Sequence, residues 1–114
     1  MTEVPSSGPD FGDPNSLSRF EWEQSTDERV VRVLGEVDLS NARSVLRALE
    51  DLGERDLVVD LTKVDFMDST GLGILVELES HAPRRLDLVV ASGSQVDRLL
   101  ELTDLKRHFE IRLV

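Results

Sequence analysis

Asp56-Leu57-Val58-Val59-Asp60-Leu61, running on to Phe66-Met67-Asp68-Ser69-Thr70-Gly71-Leu72, sets the frame for the whole chain. It begins as a short apolar run bounded by charges, the pattern of a buried strand. It ends in Asp-Ser-Thr-Gly directly ahead of Leu72, Ile74, Leu75, Val76 and Leu78, which read as a helix. Asp and Ser are strong helix N-caps because their side-chain oxygens accept the unpaired amides of the first turn. A serine exposed there can carry a phosphate whose charge the helix end already accommodates. Ser69 is the candidate for that role. The competing reading is that Asp68, Ser69 and Thr70 only cap the helix.

Upstream, Arg19-Phe20-Glu21-Trp22-Glu23 alternates as a half-buried strand, with Trp22 expected in core or rim packing. A turn at Thr26-Asp27-Glu28 leads to Val30-Val31-Arg32-Val33-Leu34, the β-branched hairpin partner. Gly35-Glu36-Val37-Asp38 leaves that strand, and a helix starts near Ser40, with Ala42, Val45, Leu46, Leu49 and Leu52 on one face. Gly53 suits its C-terminal stop. Asp38 is expected to cap this helix through its carboxylate, or else to lie near Ser69 and shape a docking surface.

Downstream, Pro83 ends the second helix near His81. Leu86, Leu88, Val89 and Val90 form a buried strand. Ser94 caps a third helix, with Asp97 in its first turn and Val96, Leu99, Leu100, Leu102 and Leu105 on its apolar side. Phe109, Ile111 and Leu113 alternate in a final, half-buried edge strand. The order β-β-α-β-α-β-α-β implies an α/β fold: one domain over 18–114, a mixed sheet, helices packed mainly on one face. Residues 1–17 hold three of the four prolines and two of the seven glycines, the composition of a flexible N-terminal arm.

Bulk composition narrows the function. With 13 basic and 23 acidic residues the net charge is −10, which opposes binding to nucleic acid or anionic lipid. A basic protein partner suits it better, although excess acid also serves solubility. Without cysteine there is no disulfide or thiol chemistry. Neither a signal-peptide pattern nor an apolar run near the roughly 20 residues of a membrane helix is present, so the expected location is cytoplasmic.

Catalytic constellations are missing as well. His81 and His108 fall at a helix end and before the last strand, and neither position suggests convergence on Ser69. Asp-Ser-Thr-Gly is not a Gly-x-Ser-x-Gly elbow. Two histidines without cysteine make no zinc site, and no glycine-rich nucleotide loop occurs, so no cofactor and no metal are expected. Asp60, ending an apolar strand, invites comparison with the phosphoacceptor of a response-regulator receiver. That chemistry also needs an acidic pair after the first strand and a late lysine, and the only lysines are Lys63 and Lys106.

Val64-Asp65-Phe66-Met67-Asp68-Ser69-Thr70-Gly71-Leu72-Gly73 closely resembles the signature of STAS domains of the anti-sigma factor antagonist type. Gly35-Glu36-Val37-Asp38, followed by Ala42, resembles the family's second signature, and Val96 through Leu105 with the strand ending Ile111-Arg112-Leu113 resemble its C-terminal part. The resemblance implies partner switching. Unphosphorylated, such a protein binds an anti-sigma factor that is also a serine kinase, and a sigma factor is released. Phosphorylation ends the complex and a serine phosphatase resets it. Carried over, the phosphoacceptor is Ser69 and the preceding acid Asp68. Thr70 and Gly71 complete the turn, and Asp38 is the other signature acid. Pro83 behind the second helix and Asp104, where members often have glycine, depart from the family pattern. The alternative within the family is a STAS module that serves as a structural subunit, with Ser69 only a helix cap.

Overall fold

The computed structural model describes residues 20–24, 30–53, 56–81 and 85–114. The expected arm, the turn at Thr26-Asp27-Glu28, Pro83 and the packing of Trp22 lie outside what is described.

Five strands form one sheet in the order β1-β2-β3-β4-β5: β1 Phe20–Gln24, β2 Val30–Val37, β3 Leu57–Met67, β4 Leu86–Val90 and β5 Glu110–Leu113. β1 and β2 pair antiparallel and the other neighbours parallel, so the sheet is mixed, as expected. Helices α1 (Ala42–Glu50), α2 (Ser69–Ser80) and α3 (Gln95–Leu102) join the parallel strands, and a 3₁₀ turn, Leu105–Arg107, precedes β5.

The register explains why one face carries the helices. Val31, Val59, Leu88 and Ile111 stand side by side across four strands. They share one core with Val45, Leu46 and Leu49 of α1, Leu72, Leu75 and Leu78 of α2, and Val96 and Leu100 of α3. The next row, Arg32, Asp60, Val89 and Arg112, points to the other face, where Arg32 pairs with Asp60 at 3.4 Å. There the buried Asp87 carboxylate is held by Arg85 and Arg112, each at 3.0 Å. At about 25 cal/mol per Å² of apolar area, burial of this shared core is the main favourable term.

Three expectations need correction. β2 runs on through Gly35-Glu36 to Val37, and β3 continues past Leu61 to Met67. Between Arg32/Leu34 and again between Gly35/Glu36 the pairing gains one residue on β3, which marks two bulges. Gly35 takes φ 94° at the second. Bulges break strict alternation, which is why this stretch reads as loop. Leu102 is 84% exposed and does not join the apolar side of α3, and Leu105 lies beyond that helix in the 3₁₀ turn, although it and Leu99 are both half-buried against the core. Gly53, at φ 100°, follows α1 as expected of a stop, and Asp104 has the left-handed geometry that favours glycine, φ 60°.

Candidate functional site

The site forms where β2 and β3 end side by side. Val37 pairs with Met67, and the Asp68 amide donates to the Val37 carbonyl at 3.2 Å. The two signature segments, about thirty residues apart in the chain, are thus neighbours in space. Asp68 is the N-cap of α2: its Oδ1 accepts from the Gly71 amide at 3.0 Å. Such a cap is worth about 1 kcal/mol. Ser69 is the first helical residue and is exposed; Thr70 is half-buried behind it. Among the described residues the Ser69 hydroxyl has no hydrogen-bond partner, so the cap is complete without it.

Gly71 is fixed by crowding. A Cβ there would lie 2.6 Å from Met67 Cγ and 3.1 Å from both Val37 Cγ1 and the Val37 carbonyl oxygen. The absence of a side chain lets α2 start directly against the β2–β3 seam.

Asp38 does not cap α1 with its carboxylate. That group accepts from the amide and hydroxyl of Ser40 at 3.0 and 2.7 Å, closing a turn before the helix. The Asp38 backbone carbonyl takes the Ala42 amide at 2.8 Å. Asn41, at 1% exposure, holds the turn from below: its Oδ1 accepts from the Asp38 amide and its Nδ2 donates to Glu36 O, at 3.0 and 2.7 Å. Asp38 lies instead near the Ser69 turn, across the β2–β3 seam from Asp68. Asp38, Leu39, Ser40, Phe66 and Asp68 line one open cleft of about 440 Å³. Leu39 and Phe66 are 78% and 44% exposed, so the cleft combines two carboxylates with two uncovered apolar side chains. The bulge before Phe66 turns this residue outward.

Gln95, the first residue of α3, anchors the site although nothing in the sequence assigns it that role. β4 pairs with β3 only as far as Asp60, so among the described residues no strand neighbours Met67 on that side. The Gln95 side chain supplies one, accepting from Met67 N at 2.9 Å and donating to Met67 O at 2.7 Å. No sequence signal distinguishes it from any polar helix-opening residue. Ser94 caps α3 by accepting from Asp97 N at 3.2 Å. The Asp97 carboxylate accepts from Gly93 N at 2.8 Å and meets Lys106 Nζ at 2.9 Å. The Gly93 amide first, then Lys106, holds it below the usual carboxylate range.

The histidines lie elsewhere. His81 caps the far end of α2, about 18 Å along a twelve-residue helix from Ser69, and contacts Glu50 at 2.8 Å. His108 contacts Glu79 at 2.6 Å. Asp60 accepts from the amide and hydroxyl of Thr62, at 2.8 and 2.6 Å. Among the described residues no cluster of three or more potential ligands is placed to hold a metal, and no helix is long and apolar enough to cross a membrane. The exposed Ser69 hydroxyl lies beside the cleft.

A family model described as STAS domain matches residues 19–114. An anti-sigma-B factor antagonist of Listeria monocytogenes is 39% identical over 97 residues, 81% of this chain and 85% of that protein. One of Staphylococcus aureus is 37% identical over 81 residues, 67% of this chain and 75% of its own length. Among solved structures, an anti-sigma factor antagonist from Mycobacterium paratuberculosis superposes with a TM-score of 0.72 at 25% identity, covering 89% of each chain.

Proposed function

The chain belongs to the STAS domain family, and on that premise we propose that it is an anti-sigma factor antagonist switched at Ser69. Unphosphorylated, it binds in the cytoplasm an anti-sigma factor with serine kinase activity, and a sigma factor is released. Leu39 and Phe66 supply apolar contact, and Asp38 and Asp68 face basic groups on the partner. The kinase phosphorylates Ser69, the complex ends, and a serine phosphatase resets the chain.

One observation carries this reading: Ser69 is exposed, without a hydrogen-bond partner among the described residues, at the N-terminus of α2 beside the Asp38–Asp68 cleft. A serine retained only as a cap would have its oxygen on a backbone amide, and here Asp68 has that task. This disfavours the reading of Ser69 as a mere cap in a structural subunit. Among the described residues no side chain bonds the hydroxyl as a general base would, and on this reading the kinase supplies the base and the nucleotide.

The physics of the switch is local. A phosphate adds roughly −1.5 to −2 charge, which the helix end tolerates, so the fold survives modification. The cleft already carries two carboxylates. A third anionic group buried in the contact without a matching cation costs several kcal/mol. Mass spectrometry of the protein from its own cells, with a Ser69→Ala variant as bait, tests this. The expected result is one acid-stable phosphate on Ser69, absent from the variant, and a kinase-like partner held constitutively by the variant. No phosphate in any growth condition, with an unchanged partner set, overturns it.

A further inference from the structure

Strand β5 ends the sheet, and among the described residues no strand pairs with its outer edge. The Val114 amide donates to Val90 O, and Val114 O accepts from Ser92 N, each at 3.0 Å. A strand bonds one parallel neighbour through alternate residues, so Arg112 and Glu110 share that inward phase. The amides and carbonyls of Ile111 and Leu113 therefore point to the open edge. Leu113 is 48% exposed at the same place.

We propose that this edge pairs with β5 of a second copy of the chain, antiparallel, about a twofold axis at Ile111. In that register Ile111 faces the second copy's Ile111 with both outward hydrogen bonds exchanged. Glu110 faces the second copy's Arg112, and Phe109 faces its Leu113. Both sheet faces are then complementary at once. The face bearing Asp87 and Val89 gains two Glu–Arg pairs, because Glu110 and Arg112 stand beside those residues in the ladder. On the opposite face the exposed Leu113 comes opposite the second copy's Phe109 position. Glu110 and Arg112 fall in the non-hydrogen-bonded pairs, where opposing side chains come closest. Arg112 gives Nη2 to Asp87 at 3.0 Å, which leaves Nη1 and Nε for Glu110.

Charge also excludes the neighbouring symmetric registers. Centring the axis on Glu110 sets Glu110 against its own copy, and centring on Arg112 sets Arg112 against its own; like charges directly opposite are destabilising. The strand's alternation of opposite charges about one apolar residue is thus self-complementary, as an isologous contact requires. The pairing is weak, because the strand is four residues long and each copy carries −10. β5 contributes nothing to the Asp38–Asp68 cleft, so the pair presents two open clefts.

The test uses the full chain. Sedimentation velocity over a concentration series is expected to give a reversible dimer in roughly the 10–1000 µM range, typical of small interfaces. Hydrogen exchange of the Ile111 and Leu113 amides is expected to slow as concentration rises, while the Arg112 amide, bonded inward to β4, does not respond. Glu110→Lys keeps the Arg112–Asp87 pair and puts like charges across both contacts, and it is expected to weaken association about tenfold or more. Leu113→Pro removes an outward donor without touching the β4 ladder and acts likewise. A monomer at every concentration, or a dimer with concentration-independent exchange at Ile111 and Leu113, overturns the proposal. Because the exchange is read on the unaltered chain, it decides even if a variant fails to fold.

Discussion

Gly71 shows how one residue ties the start of α2 to the β2–β3 seam. A methyl group there collides with Met67 Cγ at 2.6 Å and approaches the Val37 carbonyl, and Met67 is fully buried. Overpacking of this kind costs about 1–3 kcal/mol. Gly71→Ala is therefore expected to lower the urea midpoint and to push Asp68–Ser69 away from the Val37 seam, weakening partner binding as well. Normal stability with normal binding would show that the seam has slack. Asp104 is a second such position. Its left-handed geometry strains any β-branched side chain, so Asp104→Val is expected to cost about 1–2 kcal/mol. For Asp104→Gly two effects of about 0.5–1 kcal/mol oppose each other, relief of φ strain and greater unfolded-state entropy. Equilibrium unfolding should place it near the parent. Both positions announce themselves in the sequence, Gly71 inside the signature and Asp104 as a departure from it; the contact that forbids a Cβ at Gly71 does not.

Element by element, the site depends on what lies behind it. Among the described residues the end of β3 has a strand neighbour on one side only, and the Gln95 amide takes the place of the other at Met67. Gln95→Ala leaves a buried amide and carbonyl unpaired, at about 1–3 kcal/mol. It should speed hydrogen exchange at Met67 and slow phosphorylation of Ser69; unchanged exchange would assign that role elsewhere. The N-terminal end of α3 is pinned in turn by Asp97, whose carboxylate Gly93 and Lys106 hold below its ordinary value of 3.8. A depressed carboxylate stabilises the fold above its unfolded value, and that share is lost as pH falls through the lower folded value. Acid titration followed by circular dichroism should show Asp97→Asn less stable than the parent at neutral pH and the difference shrinking below pH 3.8. A constant difference across that window would show that packing, and not charge, makes the contact.

For the whole molecule, a charge of −10 acts at long range. Association with a basic partner surface should slow about tenfold or more between low and physiological salt, with dissociation changing less. Stopped-flow mixing reads both rates, and a salt-independent on-rate would point to apolar contact through Leu39 and Phe66 as the whole of recognition. The chain's own residues determined much of this. Apolar periodicity and turn chemistry place each strand and α-helix between β2 and β5, though not the far ends of β2 and β3, because burial of Val59, Leu72 or Leu100 is written in spacing of two, three and four. Asp68 as N-cap and the stop at Gly53 follow from side-chain and backbone preferences that act within a few residues. Tertiary structure alone decided the rest. The bulges that extend β3 and turn Phe66 outward depend on pairing with β2. The Asn41 bonds that hold Asp38, and the Gln95 bonds that hold Met67, satisfy backbone groups several to 28 residues away. Local preference fixes what a segment becomes; unsatisfied polar groups and crowding across the sheet fix where its side chains meet, and these arise only once the strands lie side by side.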